Sequence, residues 1–443
     1  MVKTLLFTFS LLLHISASEK PNVLFIAVDD LNDWVGHLKG HPNAMTPNLD
    51  RLARHGVSFT RAYCPSPLCN PSRISLLSGV APHKSGVYSN KDKLRDKMPN
   101  AVTLMQHFIM SGYSVKGGGK IFHSPRAYDH ASWNSFNHPQ KKQLTLKKRT
   151  PKSVWAPWGA VTNPDKDMFD TMNTNWLISE LKQNHSKPFF LACGFTKPHL
   201  PWKVPQKYFD LHPLKKIKLP PTLKGDLKDV PSYAKKLAAG KGYAFEGGDH
   251  NNVIANKQWH KGVQAYLAAI SFVDDKLGRI LDALEKSQYA KNTIIVLWGD
   301  HGWHLGEKEH WRKQTLWEVA TRTTFIISTP ETVKGQLCNS PVSLLDIYPT
   351  LIDLCKLPKR DNLDGLSLKP LLQEPESKTN RSILMTYGKD NHAVQNERYR
   401  YIRYHDGSEE LYDHKKDPNE WHNLAKNPEY SKIISQLQKS LPK

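Results

Sequence analysis

The sequence predicts an α/β fold, in which buried strands alternate with helices. Three unbroken apolar runs are typical of strands that are buried on both faces, and they cover residues 23–28, 188–194 and 294–299. Between the last two runs, apolar residues recur at helical spacing over 263–284. That predicted helix leads directly into the strand that begins near Thr293, as the alternation of an α/β sheet requires.

The C-terminal part of the chain predicts a smaller unit. A polar connector lies near residues 359–378, and the stretches 382–387 and 399–404 have the composition of strands. A third short strand-like segment and a closing helix near residues 430–438 follow them. We therefore expect a large α/β domain at residues 19–358 and a C-terminal subdomain at 359–443, which contains a small antiparallel sheet and a terminal helix.

The N-terminus has the pattern of a signal peptide. Met1-Val2-Lys3 precedes an apolar stretch at residues 4–13, and the small residues Ser16, Ala17 and Ser18 follow. We expect cleavage after residues 1–18 and a secreted or periplasmic mature protein. No later apolar run is long enough to cross a bilayer, so we expect no transmembrane segment.

The cysteines are few for an exported chain of this length. Five cysteines in 443 residues predict that no disulfide framework holds the fold together. Cys193 lies within an apolar strand-like run and is predicted to belong to the core. A disulfide between Cys338 and Cys355 remains possible.

The most informative segment is the run from Cys69 to Gly79, which reads Cys-Asn-Pro-Ser-Arg-Ile-Ser-Leu-Leu-Ser-Gly. Pro71 limits the backbone, and Ser72 and Arg73 are predicted to start a helix that ends at Gly79. The cysteine would then lie near a positive helix N-terminus with a guanidinium beside it, which suits an anionic substrate. Taken alone, Cys69 has the simpler interpretation of a small buried apolar residue.

This run resembles the signature of the type I sulfatases, C-x-P-S-R-x-x-x-L-[ST]-G. In that family the cysteine is oxidised to formylglycine, and the hydrated aldehyde is the nucleophile. The resemblance implies a sulfuric ester hydrolase with the alkaline phosphatase-like fold, a large mixed sheet sandwiched by helices with a smaller C-terminal α+β subdomain. It also implies that a formylglycine-generating or sulfatase-maturating enzyme acts on the chain.

Acidic residues follow two of the predicted strands. Asp29 and Asp30 come directly after the first strand, and Asp300 with His301 follows the strand near Thr293. Parallel strands deliver such residues to one edge of a sheet, where α/β folds bind ligands. Paired carboxylates repel one another, and the sequence offers them no evident counter-charge, so a Ca²⁺ or Mg²⁺ ion is favoured. The alternative is that Asp29 or Asp30 caps a helix or turn.

The resemblance assigns these residues to a calcium ion. The family ligands correspond here to Asp29, Asp30, the formylglycine derived from Cys69, Asp300 and His301. Two further segments are similar to those of the iduronate-2-sulfatase type, namely G-K-x-F-H at residues 119–123 and K-P-H-x-P at residues 197–201. They imply a set of catalytic residues, which are Cys69, Arg73, Lys120, His123, His199 and Lys313.

The resemblance also implies a role for each catalytic residue. Arg73 and Lys120 would hold the formylglycine oxygens, and His123 would be the base that eliminates sulfate. Lys313 would hold the sulfate, and His199 would protonate the leaving oxygen. Read without the resemblance, a lysine is usually a solvated surface charge and a histidine usually a structural group.

A second group of residues lines the predicted substrate pocket or only supports it. Its members all lie in or beside the matching segments, and they are Lys197, Trp303 and His304. His304 stands where the iduronate-2-sulfatase pattern has a small residue, so the resemblance does not determine the sugar.

Charge bears on the substrate class. Lysine and arginine number 62 against 41 aspartates and glutamates, which gives a formal net charge of +21. Such an excess favours a polyanionic partner, although a generally basic surface with no specific role is the alternative. With the resemblance, we expect a sulfated, uronic-acid-containing polysaccharide or oligosaccharide rather than nucleic acid.

Three alternatives stay open. The enzyme could act on another sulfated glycan such as ulvan, which carries rhamnose sulfate. It could be a metal-dependent phosphatase or phosphodiesterase of the same superfamily, although such enzymes use serine or threonine and Cys69 argues against this. It could also be a polyanion-binding protein with an inactive sulfatase fold.

Overall fold

The computed structural model describes residues 20–123, 128–148, 157–240 and 248–442. Its strands are β1 (Asn22–Asp29), β2 (Val57–Phe59), β3 (Ala62–Tyr63), β4 (Ser114–Gly119), β5 (Ser135–Asn137), β6 (Gly159–Val161), β7 (Phe189–Pro198), β8 (Lys203–Pro205), β9 (Thr293–Gly299), β10 (His304–Leu305), β11 (Trp311–Arg312), β12 (Arg322–Thr323), β13 (Phe325–Ser328), β14 (Gln336–Cys338), β15 (Val342–Ser343), β16 (Ile383–Thr386), β17 (His392–Gln395), β18 (Tyr399–Arg403) and β19 (Glu409–Asp413). Its α-helices are α1 (Pro47–Arg54), α2 (Cys69–Ser78), α3 (Pro82–Ser85), α4 (Leu94–Lys97), α5 (Leu104–Met110), α6 (Phe169–Leu181), α7 (Gln206–Asp210), α8 (Ser232–Ala239), α9 (Gly248–Ala255), α10 (Trp259–Glu285), α11 (Glu318–Thr321), α12 (Ile347–Leu354), α13 (Lys369–Gln373) and α14 (Ser431–Gln438).

The predicted signal peptide at residues 1–18 lies outside the described residues, so cleavage and export stay predictions. Within the described ranges, every helix is too short or too polar to serve as a membrane span.

A mixed sheet of eight strands forms the centre of the molecule, in the order β14-β2-β13-β9-β1-β7-β4-β5. Strand β13 runs antiparallel to both of its neighbours. The other neighbouring pairs in this sheet are parallel. The predicted α/β fold with a large mixed sheet is confirmed.

Strand β1 lies inside this sheet, and all eight of its residues are buried. Successive side chains point to opposite faces, so Leu24 and Ile26 pack in the core beneath α6 and α10, whereas Phe25 packs in the core beneath α2 and α12. Because both faces are covered by helices, the strand needs an unbroken apolar run, which is the pattern that predicted it.

Strand β7 is longer than predicted. It begins at Phe189 and continues to Pro198, and the parallel register with β1 shifts so that Asp29 lies opposite Pro198. The extra residues carry the Lys197–Pro201 segment beyond the sheet edge. The apolar pattern ends earlier because Thr196 and Lys197 are polar, and this is why the sequence predicted a shorter strand.

The C-terminal subdomain contains an antiparallel sheet in the order β16-β17-β18-β19. Helix α14 packs on one face of this sheet, and α8 of the larger unit packs on the other. Strand β17 was not predicted, since its four residues follow a polar turn and carry a histidine and a glutamine. The predicted small sheet and closing helix are confirmed.

The five cysteines are free and buried. The possible disulfide between Cys338 and Cys355 is not formed, because Cys338 lies in edge strand β14 whereas the Cys355 thiol is hydrogen-bonded with Tyr113 after α12. The prediction that Cys193 belongs to the core is confirmed, since it is buried in β7.

Candidate active site

The carboxyl edge of the central sheet gathers charged residues from three strands. Strands β1 and β9 are parallel neighbours, so Asp29, Asp30 and Asp300 leave the sheet side by side. Three carboxylate oxygens, one from each aspartate, lie within 4.8 Å of one another. Strand β4 ends at Gly119 and delivers Lys120 to the same edge. The predicted meeting of the two acidic segments is confirmed.

Helix α2 brings Cys69 to this edge as its first residue. The helix begins three residues earlier than predicted, because Pro71 lies in its first turn, where the missing N–H of proline has no helical partner to lose. Gly79 ends it with φ of 74°, and the Gly79 N–H donates to the Ser75 carbonyl. All ten residues of α2 are buried, so the helix is held on every side.

Arg73 and Lys120 supply positive counter-charges to the aspartates at the ends of β1 and β9. Arg73 is fully buried and donates from Nη2 to Asp29 at 3.1 Å and from Nε to Asp300 at 2.8 Å. Lys120 forms an ion pair with the other Asp29 oxygen. The expectation that the aspartates lack counter-charges is therefore wrong, since the matching cations come from distant parts of the chain.

Lys313 and His301 surround the Cys69 thiol. Lys313 Nζ lies 3.1 Å from Cys69 Sγ and 2.5 Å from Asp30 Oδ1. His301 Nε2 lies 3.3 Å from the same sulfur and 3.4 Å from Asp30 Oδ1. The structure thus brings Cys69 into contact with a predicted sulfate-binding lysine and a predicted metal ligand.

The ionisation of the two adjacent aspartates differs. Burial raises the pKa of Asp29, but Lys120 and the neighbouring cations lower it by a larger amount, so the net pKa lies well below its ordinary value. Burial raises the pKa of Asp30 to about 8, because Lys313 offsets only part of that cost. Asp30 Oδ2 is buried and has no hydrogen-bond partner among the described atoms.

The environment favours a charged sulfur. Burial raises the pKa of the Cys69 thiol, but Lys313 and Lys120 outweigh burial, and the net pKa is lowered. Burial lowers the pKa of His301, but Asp300 and Cys69 raise it to about 9. The pocket around residue 69 is therefore built to stabilise negative charge.

Two histidines border cavities beside the site, and the pKa of each is lowered. His199 follows β7, and its Nε2 lies 3.9 Å from the unpartnered Asp30 Oδ2. Burial lowers the pKa of His199 well below its ordinary value. Burial and Lys120 lower the pKa of His123 to about 4, and His123 Nδ1 has no partner among the described atoms. A neutral imidazole can accept a proton, and the imidazolium that results can donate it.

The three residues predicted to line or support the substrate pocket lie in different environments. Lys197 is turned inward and donates to the carbonyls of His199 and Pro201 at 3.0 and 2.8 Å. Trp303 lies under Lys313, whose Nζ is 4.9 Å from the ring centroid. His304 is buried with both ring nitrogens bonded, to Glu307 O and Thr315 Oγ1, so the structure does not bring it to the cleft.

Sequence reasoning did not identify the residues that hold the backbone of Asp30 and of Asp300. The Tyr266 hydroxyl donates to the Asp30 carbonyl at 2.7 Å, and Asp30 has a φ of 61°. Ser72 Oγ donates to the Asp300 carbonyl at 2.6 Å. Tyr266 belongs to the apolar stripe of α10, so its sequence pattern indicated only core packing.

Among the described residues, one cluster outside this edge has the composition of a metal site, and it is formed by Glu318, His414 and Glu420. Arg400 lies between the glutamates, with an ion pair to Glu318 and a 2.8 Å contact from Nε to Glu420. This guanidinium already supplies the counter-charge, so the cluster is a buried ion-pair network.

Comparison with known protein families gives two matches. A family described as "Sulfatase" matches residues 21–357, and a family described as "N-sulphoglucosamine sulphohydrolase, C-terminal" matches residues 306–443.

Individual relatives agree with these matches. A "Sulfatase" of Formosa agariphila is 40% identical over 96% of this chain and 87% of its own length. The human "Iduronate 2-sulfatase" is 30% identical over 76% of this chain and 64% of its own length. A "Delta 4,5-hexuronate-2-O-sulfatase" of Bacteroides thetaiotaomicron is 28% identical over 95% of this chain and 88% of its own length.

Solved structures share the fold. A protein in complex with its substrate D-glucosamine-2-N,6-O-disulfate aligns with a TM-score of 0.74 and 21% identity, over 95% of this chain and 96% of that one. A phosphonate monoester hydrolase from Silicibacter pomeroyi aligns with a TM-score of 0.78 and 21% identity, over 95% and 94%.

Proposed function

Because the chain belongs to the sulfatase family and is a sulfuric ester hydrolase, we propose that it removes sulfate from a uronic-acid-containing polysaccharide or oligosaccharide. We further propose that Cys69 is converted to formylglycine and that a calcium ion completes the site. Export through the segment at residues 1–18 and a domain boundary between residues 358 and 359 belong to the same proposal.

One observation carries this proposal. The Cys69 sulfur lies 3.1 Å from Lys313 and 3.3 Å from His301, at the edge where β1 and β9 deliver their aspartates. A nucleophile at that position would attack a sulfur atom whose oxygens face cations on both sides. The arrangement suits an ester with a compact anionic head group.

The donor set fits a hard divalent cation. Asp29, Asp30 and Asp300 offer carboxylate oxygens within 4.8 Å of one another, and oxygen ligands are those that calcium prefers. The buried Asp30 Oδ2 has no hydrogen-bond partner in the described part of the chain, which is expected of an oxygen that binds a metal ion. His301 would then orient the Cys69-derived group rather than bind calcium, since nitrogen is a poor ligand for that ion. When bound, calcium would offset negative charge on the sulfuryl oxygens.

The formylglycine hydrate would supply the nucleophilic hydroxyl. Residues of this chain would then bind the sulfate group and transfer the protons. Lys120 and Arg73 hold the Asp29 side of the site and stabilise the nucleophile as an anion. Lys313 binds an oxygen of the sulfate group. His199 would protonate the leaving alcohol from its imidazolium form, which the negative charge of the bound sulfate would stabilise. His123 would accept the proton whose loss releases sulfate from the enzyme.

The sugar class rests on two lines of support. Two relatives carry names that specify a sulfated uronic acid, namely the iduronate and the hexuronate enzymes described above. The formal net charge of +21 suits a substrate with several anionic groups.

The deciding experiment is a substrate panel. Purified enzyme, with the mass of the Cys69 peptide determined, is incubated with 2-O-, 3-O-, 4-O- and 6-O-sulfated saccharides with and without uronic acid. We expect sulfate release from one sulfated uronic acid isomer and an aldehyde mass at residue 69. Phosphate and phosphonate monoesters belong in the same panel, as does a rhamnose sulfate from ulvan.

The outcomes separate the alternatives. Preferential turnover of rhamnose sulfate would replace the uronic acid assignment and keep the sulfatase. Preferential turnover of a phosphate or phosphonate ester would contradict the sulfate-ester proposal. Full activity with an entirely unmodified thiol at Cys69 would contradict the formylglycine mechanism.

Chelation tests the metal. Treatment with a chelator should lower both the activity and the melting temperature, and added Ca²⁺ should restore both, because an ion that binds only the folded state stabilises it. The matched control is Mg²⁺ at the same concentration. Stoichiometric zinc in the active enzyme, with no response to calcium, would contradict the assignment.

A further inference from the structure

The active-site cleft continues into a larger groove. A cavity of ≈ 370 Å³ is bordered by His199, Trp303 and Lys313. It shares Leu68, Asn90 and Gln314 with a neighbouring cavity of ≈ 770 Å³. Leu68 and Gln314 are the sequence neighbours of Cys69 and Lys313, so the groove begins where the scissile sulfate would lie.

The groove combines aromatic faces with cations. Tyr88, Tyr233 and Tyr387 line it, and all three are half-buried. Lys91, Lys389 and His405 line it as well, with exposed side chains. Among the lining residues that the structure describes, none is a carboxylate.

One wall of the groove is fixed to the nucleophile helix. The Asn70 N–H donates to Asn90 Oδ1 at 3.0 Å, and Asn70 Nδ2 donates to the carbonyls of Ser89 and Asp92 at 2.9 and 2.8 Å. Asp92 Oδ2 also accepts from the Tyr88 and Ser89 N–H groups. The segment that carries Tyr88 and Lys91 is therefore held in register with Cys69.

The opposite wall comes from the C-terminal subdomain. The turn between β16 and β17 is closed by Asn391, whose carbonyl accepts from the Tyr387 N–H at 3.0 Å and whose Oδ1 accepts from the His405 N–H at 3.1 Å. The His405 ring lies 4.4 Å from the Tyr233 ring of α8. This wall presents Lys389 from a turn in which Asn391 Nδ2 also donates to the carbonyls of Tyr387 and Lys389.

These features suit a sugar with an anionic substituent. Tyrosine rings pack against the apolar face of a pyranose, and ammonium groups bind sulfate or carboxylate. We propose that the groove binds the sugar unit next to the one that carries the scissile sulfate, and that Lys91 and Lys389 bind an anionic group on that second unit. The inference rests on the proposed glycan sulfatase function and adds a determinant of which glycan is chosen.

The test uses two disaccharides that share the sulfated unit identified by the substrate panel. One carries a second sulfate on the neighbouring sugar, and the other does not. We expect the wild-type enzyme to prefer the disulfated compound in kcat/KM by about fivefold, the preference expected from two exposed charge pairs. In the double variant Lys91→Ala/Lys389→Ala this ratio of kcat/KM values should approach one, and the change should appear in KM rather than in kcat.

The matched control is Lys182→Ala/Lys286→Ala, which removes two exposed lysines at the far ends of α6 and α10. It should keep the wild-type ratio. Calorimetric titration of both disaccharides into Cys69→Ala, with and without the groove substitutions, gives the same comparison without turnover.

A preference that survives the groove substitutions, or that falls equally in the control, would overturn the inference. So would a wild-type enzyme that turns over both disaccharides with equal efficiency, and in that case the proposed sulfatase function would stand. Absence of turnover on every sulfate ester is the separate result that would contradict the function itself.

Discussion

At the scale of single residues, the proposed chemistry depends on Cys69. Cys69→Ala should abolish turnover and leave the fold intact, because no second nucleophile faces Lys313 and His301 within the described part of the site. Steady-state assays and thermal unfolding would measure this. Cys193→Ala is the control, since it removes a buried thiol from β7 and should lower stability while activity persists. Residual turnover by Cys69→Ala near the wild-type rate would contradict the assignment.

The sequence placed the acidic residues correctly because strand ends are visible as the ends of apolar runs. Asp29 and Asp300 follow such runs, and the parallel pairing of β1 and β9 then brings them together. The cationic partners could not be located in the same way, since Arg73 and Lys313 reach the aspartates only through tertiary packing. His304 illustrates the limit, because its sequence position beside Trp303 does not reveal that its ring turns into the interior.

At the scale of elements, helix α2 depends on its terminal glycine. Gly79 has φ of 74°, and a Cβ there would overlap the Leu363 side chain. Gly79→Ala should therefore lower the free energy of unfolding by about 2 kcal/mol or more, because the left-handed backbone and the overlap both cost energy.

Gly86→Ala is a matched control for this substitution. Gly86 ends α3 with φ of 70°, but a Cβ there would meet nothing within 4 Å. It should lose only the backbone component, about 1 kcal/mol. Urea unfolding of both variants would measure the difference, and equal losses would show that Leu363 moves aside without cost.

Elements whose apolar residues repeat regularly could be predicted from the sequence. Elements whose bounds depend on tertiary contacts could not. The helix over 263–284 was found because its apolar stripe repeats, and the structure extends it to Trp259–Glu285. The start of α2 was misplaced because this helix is buried on all sides and shows no polar face. Its first turn is instead defined by contacts with other elements.

At the scale of the whole molecule, an ion-pair network joins the small sheet to the large unit. Arg400 of β18 contacts both Glu318 and Glu420. Burial raises the pKa of Glu318, but Arg400 outweighs burial, and the net pKa falls to about 2. A carboxylate with a lowered folded-state pKa contributes stability above its ordinary pKa and loses it as the pH falls toward 2.

Acid should therefore weaken this junction. Between pH 6 and pH 3, the free energy of unfolding of the wild type should fall more steeply than that of Glu318→Gln, by roughly 2 kcal/mol. The control Glu376→Gln alters an exposed carboxylate and should follow the wild-type slope. Identical slopes for the wild type and Glu318→Gln would show that this ion pair does not link stability to pH.

The net charge of +21 should act at long range. The value of kcat/KM for a sulfated oligosaccharide should fall with salt more than that for a small aryl sulfate, since charges are screened beyond about 10 Å at 0.1 M salt. Parallel assays from low to high ionic strength would measure both slopes. Equal salt dependence would assign the basic surface no part in substrate capture.

The burial of Cys69 has a consequence for the order of events during biosynthesis. Its side chain is 0% exposed, and it opens a helix in which every residue is buried. An enzyme large enough to oxidise this thiol has no access to it once α2 has docked against the sheet. If Cys69 is converted to formylglycine as proposed, the conversion would have to precede folding, and the time between synthesis of residue 69 and closure of the domain would limit the fraction of active molecules.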